Sequence, residues 1–170
     1  MKEPVWSSNP RPKGHDRGVG YQLKALIGPA AAVSLAAERL TLEMVSLPQG
    51  FALLPIELDD EDPIVDPDLY LSAVFLDAAL AASIGGAIAY VEADFFGGFG
   101  TQTSMTWIDG VPTSRVIFDT PEAFARMPRP QWPINSALRQ LGVALLGADE
   151  FETLELGRHR DTEDWRPEPS

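Results

Sequence analysis

The feature that most constrains this chain lies in residues 87–118. In Ala87–Phe96, Ala89, Val91, Ala93 and Phe95 alternate with Tyr90, Glu92 and Asp94. A second run, Thr101–Ile108, follows Gly97-Gly98-Phe99-Gly100, and a third, Thr113–Phe118, follows the tight-turn pair Asp109-Gly110. Alternation with period two is the mark of strands, whose successive side chains point to opposite faces. Strands joined by turns this short pair antiparallel, since a parallel partner needs a long crossover. A meander is therefore expected here.

The rest of the chain fits around that meander. Val19–Ile27 reads as a first strand, and Gly28-Pro29 leads into a helix ending near Leu40, with Pro29 suited to the first helical turn. Its many alanines favour close packing on a sheet. Residues 41–47 alternate, Pro48-Gln49-Gly50 marks a turn, and Phe51–Leu58 returns as a strand weakened by Pro55. After an acidic loop, Leu69 to about Ser83 reads as a helix, capped by Asp66 or Asp68, apolar on nearly every side and therefore central. Residues 119–133 hold four prolines and read as irregular. Ile134–Leu141 reads as a short amphipathic helix ending near Gly142. The expected class is α+β: a mostly antiparallel sheet with two or three helices packed on it. Residues 1–18, rich in Pro and Gly, read as a flexible arm, and 19–170 as one domain.

Charge narrows the function. The formal net charge is −12 over 170 residues. Residues 1–24 carry Lys2, Arg11, Lys13, Arg17 and Lys24 against Glu3 and Asp16, a balance of +3, so the remainder holds −15. A body this acidic repels phosphate backbones and anionic lipid and attracts basic proteins. Nucleic-acid and membrane-surface binding are not expected. There is no cysteine, which removes disulfides, thiolate metal sites and a thiol nucleophile and suits a reducing compartment. No signal-peptide core is visible at the N-terminus, so the expected location is cytoplasmic.

The candidate constellations lack the spacing their chemistry demands. Gly97–Gly100 joins strand to strand and lacks the following Lys-Ser or Lys-Thr of a phosphate loop, so it reads as a hairpin turn. The acidic run Glu57, Asp59, Asp60, Glu61, Asp62, Asp66 and Asp68 fails as a calcium loop: counted from Asp60, Ile64 and Leu71 fall where ligands belong. It reads as a solvated loop and as the first place to seek a binding surface. Glu92 and Asp94 read as the solvent side of a half-covered sheet rather than a catalytic pair. His159 stands alone, without a second histidine at metal-binding spacing, while Arg158 and Arg160 read as pinning the C-terminal segment and Trp165 as its anchor. No catalytic, cofactor or metal site is expected, and the chain does not read as an enzyme.

Three segments carry a resemblance: Tyr90–Gln102 with Trp107, Ile134–Gly142, and Gly157–Trp165. Together they resemble a group of small uncharacterised bacterial proteins, some of which look similar to immunity proteins encoded beside secreted toxins. The resemblance lies in the C-terminal part of the chain. It implies a protein-binding role, neutralising a basic toxin. The candidate partner-binding residues are Glu57, Asp59, Asp60, Glu61, Asp62, Glu92 and Asp94, with an aromatic such as Phe96, Phe99 or Trp107 at the energetic centre. Two alternatives stand beside it: a small-molecule pocket, with or without enzymatic activity, near the Gly97–Gly100 turn, and a self-associating structural subunit.

Overall fold

The computed structural model describes residues 20–59, 61–66, 68–96 and 99–167. The expected arm at 1–18 lies outside them. Eight strands are described: β1 (Gly20–Pro29), β2 (Val45–Ser46), β3 (Phe51–Pro55), β4 (Ile64–Asp66), β5 (Leu71–Ser72), β6 (Ala87–Phe96), β7 (Phe99–Ile108) and β8 (Val111–Phe118). Five α-helices accompany them: α1 (Ala30–Leu40), α2 (Ala73–Ala82), α3 (Pro121–Arg126), α4 (Pro133–Gln140) and α5 (Glu150–Thr153). Six strands form one sheet in the order β2-β3-β1-β6-β7-β8, with every pairing antiparallel, and β4 and β5 form a separate pair. The α+β class follows from this arrangement.

The meander is the sheet's longest part. β6 and β7 pair from Ala87↔Ile108 to Phe96↔Phe99, so β7 begins two residues before the expected Thr101. Gly100 is held by packing: a Cβ there would run into the Asp94 carbonyl and approach the Phe95 Cα to 2.7 Å. Asp109 and Gly110, both at positive φ (50° and 74°), form the two-residue link from β7 to β8. Both residues in the left-handed region is the signature of the turn that matches strand twist. The Asp109 carboxylate also accepts the Gly85 N–H at 2.9 Å, and Ser83 Oγ accepts the Gly110 N–H at 3.0 Å. These bonds clip the turn to the end of α2. Pro112 lies in the edge strand, where a missing N–H is tolerated.

Alternation sends apolar side chains to both sides of the sheet. Leu23, Ala25 and Ile27 of β1 and Ala89, Val91 and Ala93 of β6 meet Ile134, Ala137 and Leu138 of α4, together with Leu154, Leu156 and Trp165. On the other side Leu26, Ile88, Tyr90 and Trp107 meet Val33, Ala36 and Ala37 of α1 and Phe75, Ala78, Ala79 and Ala82 of α2. The small residues of α1 and α2 let these helices approach closely. Full burial of each large apolar side chain contributes about 1.5–3 kcal/mol. The core thus has two layers, divided by the sheet.

Four expectations are corrected. The helix expected from Leu69 begins at Ala73. The Asp66 carboxylate turns the chain by accepting the Asp68 and Leu69 N–H groups, Tyr70 takes φ 48°, and Leu71–Ser72 pairs with β4. That helix is a covering layer rather than a central one, because Val74 and Asp77 are exposed. β3 stops at Pro55, short of Leu58. Within the expected irregular stretch lies α3: Thr120 Oγ1 accepts the Ala123 N–H at 3.2 Å and Pro121 opens the first turn. Helix α4 ends as expected near Gly142 (φ 90°), whose N–H reaches Arg139 O while Val143 N–H reaches Leu138 O.

Candidate functional site

The departure of β3 from β1 creates the site. Ile56 N–H still donates to Lys24 O at 2.9 Å, but beyond that point β3 no longer flanks β1. The C-terminal segment takes over the edge: Gln22 N–H donates to Arg160 O at 2.7 Å, and Lys24 N–H to Thr162 Oγ1 at 3.0 Å. Trp165, 1% exposed, fixes this segment in the core. His159 packs edge-on against it at 4.7 Å and the Arg158 guanidinium lies 5.0 Å from its ring centre. The apolar anchor expected at Trp165 is therefore present. Arg158 reaches Glu155 at 3.8 Å, and Arg160 holds the segment through its backbone carbonyl.

An open cleft of about 710 Å³ results. Gln22 and Lys24 enter from β1 and Glu92 and Asp94 from β6, on the Tyr90 side of the sheet where α1 and α2 do not reach. Glu57, Leu58 and Tyr70 line it too, together with Asp161, Glu163 and Asp164 of the C-terminal segment. Six carboxylates thus converge from three separated parts of the chain. The sheet is covered on both faces, which corrects the half-covered reading, and Glu92 and Asp94 lie at its uncovered end.

Within the cleft, several carboxylates are already engaged by the chain's own donors. The Lys24 ammonium lies 3.7 Å from Glu92 Oε1 and 4.4 Å from the centre of the Tyr70 ring, so a primary ammonium is held between a carboxylate and an aromatic face. Tyr90 OH donates to Glu92 Oε2 at 2.6 Å. Burial, then the Glu92 charge and that hydrogen bond, push the Tyr90 phenol pKa strongly upward, so it remains a donor. Gln22 Nε2 donates to Asp94 Oδ1 at 3.2 Å, and Arg166 hydrogen-bonds Glu57 at the rim. Asp161, Glu163 and Asp164 form no ion pair among the described residues.

The chain matches no protein-family model, no curated protein and no solved structure. Among the described residues, no group of three or more His, Asp or Glu side chains is arranged to hold a metal ion, and no helix is long and apolar enough to cross a membrane.

The residues of the acidic run and the other candidates do not stay together. Glu57, Glu92 and Asp94 come together in the cleft. Asp59, Glu61 and Asp62 stay in the loop outside it, where Asp62 Oδ2 accepts the Asp59 N–H at 3.1 Å; Asp60 lies outside the described residues. Asp66 and Asp68 are engaged by Arg115, at 2.9 and 2.8 Å. Trp107, at 1% exposure, lies in the core cluster that also holds residues of α1 and α2. Phe99 is 69% exposed, as is Phe96 opposite it, at the tip of the β6–β7 hairpin. Asp161, Glu163 and Asp164 were not singled out from sequence. Their signal was the short acidic run before Trp165.

A second cavity of about 470 Å³ adjoins the cleft and shares Gln22, Asp94, Asp161 and Asp164 with it. His159 lines it with Arg158 and Arg160. The His159 ring makes no hydrogen bond to a carboxylate among the described residues; its contact is the edge-on packing on Trp165.

Proposed function

We propose that this protein is a cytoplasmic binding module that seats a cationic segment of a basic polypeptide partner in the acidic cleft, in the manner of an immunity protein that blocks a secreted toxin. One observation carries the reading. Six carboxylates surround a single cleft in which the chain's own Lys24 already occupies an ammonium position between Glu92 and Tyr70. Partner lysines and arginines would extend that arrangement along Asp161, Glu163 and Asp164. Complementary charge of this kind accelerates association and excludes acidic competitors more than it adds affinity. The exposed Phe96 and Phe99 at the hairpin tip supply apolar area for a partner.

The test is fluorescence anisotropy with a short labelled Lys- and Arg-rich peptide. The triple variant Asp161→Asn/Glu163→Gln/Asp164→Asn removes three charges from the cleft, two exposed and one half-buried, and is expected to weaken binding about tenfold at low salt. A control, Asp77→Asn/Asp119→Asn/Glu122→Gln, changes net charge equally at exposed positions that do not line the cleft and should retain affinity within about twofold. Equal losses in the two variants would mean that the peptide reads net charge alone, and the cleft assignment would fall.

A further inference from the structure

The side of the sheet opposite the cleft holds a different kind of cavity. Where α4 leaves the ends of β1, β6 and β7, a space of about 330 Å³ is walled by four aromatic rings: Tyr21, Phe95, Trp132 and Phe151. Their polar tips are engaged elsewhere. Tyr21 OH donates to Leu156 O at 2.9 Å and Trp132 Nε1–H to Met127 O at 3.1 Å, which leaves ring surfaces as the lining. The rings are also fixed against one another. Tyr21 and Phe151 meet edge-on at 5.6 Å, Phe95 and Trp132 lie within 13° of parallel at 6.4 Å, and Phe124 buttresses both from behind at 5.3 and 4.9 Å. A site built this way requires little ordering on binding.

Two buried carboxamides complete it. Asn135, 3% exposed, ties two walls together: Nδ2 donates to Arg129 O at 2.9 Å and Oδ1 accepts Phe151 N–H at 2.7 Å. Gln102, 6% exposed, accepts Ile134 N–H through Oε1 at 2.9 Å, and its Nε2 has no acceptor among the described residues. At the lip, Arg129 Nε lies 2.7 Å from the buried carboxylate of Asp149, which orients an otherwise exposed guanidinium. Each carboxamide oxygen already accepts one backbone N–H, whereas Gln102 Nε2 and the outer guanidinium nitrogens of Arg129 remain as donors. A mostly apolar pocket with a few fixed polar groups is the usual form of a small-molecule site, and this one is at the small end of the range, about 300–1,000 Å³.

We propose that this cavity is a second site, independent of the acidic cleft, for a small planar aromatic molecule of one or two fused rings bearing a carbonyl or carboxylate oxygen on its edge. The ring lies among Tyr21, Phe95, Trp132 and Phe151, and the oxygen accepts from Gln102 Nε2 and Arg129. Aromatic walls favour a flat ring over a saturated one of equal size through stacked and edge contacts. The donors select the oxygen.

The experiment is a two-dimensional amide NMR titration of the full chain with indole-3-carboxamide, indole-3-carboxylate and cyclohexanecarboxamide. Saturable shifts at the Gln102 side-chain amide and the Trp132 indole N–H are expected with both indole probes. The saturated probe should bind at least about tenfold more weakly. The carboxamide and the carboxylate report separately whether the natural oxygen is neutral or charged, and either supports the assignment. Gln102→Glu keeps the acceptor for Ile134 N–H and replaces the donor, and is expected to weaken both indole probes about tenfold. Should that variant not fold, Phe95→Leu, which removes one ring from the wall, serves the same purpose. Shifts that do not saturate, equal binding of the cyclohexane probe, or full affinity in a folded Gln102→Glu or Phe95→Leu variant would overturn the proposal.

Discussion

Replacing Trp165 tests how the cleft is built. Its indole is 1% exposed, and its Nε1–H has no hydrogen-bond partner among the described residues. Trp165→Ala removes the anchor of the segment that carries Asp161, Glu163 and Asp164, and a truncation of this size in a core costs about 3–5 kcal/mol. Trp165→Phe behaves differently. It removes roughly 40 Å³, which at about 24 cal/mol per Å³ of residual cavity costs about 1 kcal/mol. It also removes a buried donor without an acceptor, and relief of that penalty contributes about 1 kcal/mol or more in the opposite direction. The two effects nearly cancel, so Trp165→Phe should lie within about 1 kcal/mol of the parent. Equilibrium unfolding in urea, at unchanged denaturant dependence, separates the cases. The alanine variant should also lose affinity for a cationic peptide, because its cleft wall is released. If Trp165→Phe costs as much as Trp165→Ala, the indole N–H is not an unmet donor and the reasoning fails.

Three further outcomes follow from the packing and charges. Gly100→Ala drives a methyl group into the β6 backbone at Asp94 and Phe95 and should destabilise the chain by about 1–3 kcal/mol; an unchanged urea midpoint would contradict the close approach. Arg139→Met strips the partner, at 2.8 Å, from the buried Glu150 carboxylate and should cost about 2 kcal/mol. Much of that loss should return in Arg139→Met/Glu150→Met, which a double-mutant cycle measures. Burial raises the phenol pKa of Tyr21 and Tyr90 above the ordinary 10.0, and at Tyr90 the Glu92 charge and hydrogen bond add to it. Phenols that bind their protons more tightly when folded contribute stability that is present below pH 10 and lost as pH climbs above it. Urea unfolding across that range should show the loss, and Tyr21→Phe/Tyr90→Phe should flatten it. Phenolate absorbance from either residue in a chain with undiminished circular dichroism would contradict this.

The meander was legible because its information is local. Alternation in Ala87–Phe96 and the Asp109-Gly110 pair specify strands and a turn without reference to anything distant. Helix α4 was legible for the same reason, with its apolar spacing closed by Gly142. What the sequence concealed depends on long-range partners. Trp107 reads equally well as a surface aromatic or a core residue until the fold gathers it into one cluster with Ile88, Tyr90 and residues of α1 and α2. The start of α2 was misplaced because Leu69–Ser72 is apolar enough to continue a helix, and only the Asp66 turn and the pairing with β4 divert it. Helix α3 left a readable cap, Thr120-Pro121, obscured by Pro128, Pro130 and Pro133 that follow it. The cleft was half legible. Glu57, Glu92 and Asp94 were candidates, but their meeting with Asp161, Glu163 and Asp164 follows from the backbone bond of Gln22 to Arg160 and the bond of Lys24 N–H to the Thr162 hydroxyl, which no local pattern records.

The central claim is that this cleft, rather than acidity in general, receives a cationic polypeptide. Mapping backbone amide shifts while a Lys- and Arg-rich peptide is titrated at increasing salt measures it most directly. The predicted result is a saturable set of shifts confined to Gln22–Lys24, Glu57–Leu58, Glu92–Asp94 and Asp161–Asp164, weakening steadily as salt screens the charges. Shifts spread evenly over the acidic surface, including Asp59–Asp62 and Asp119–Glu122, would contradict it.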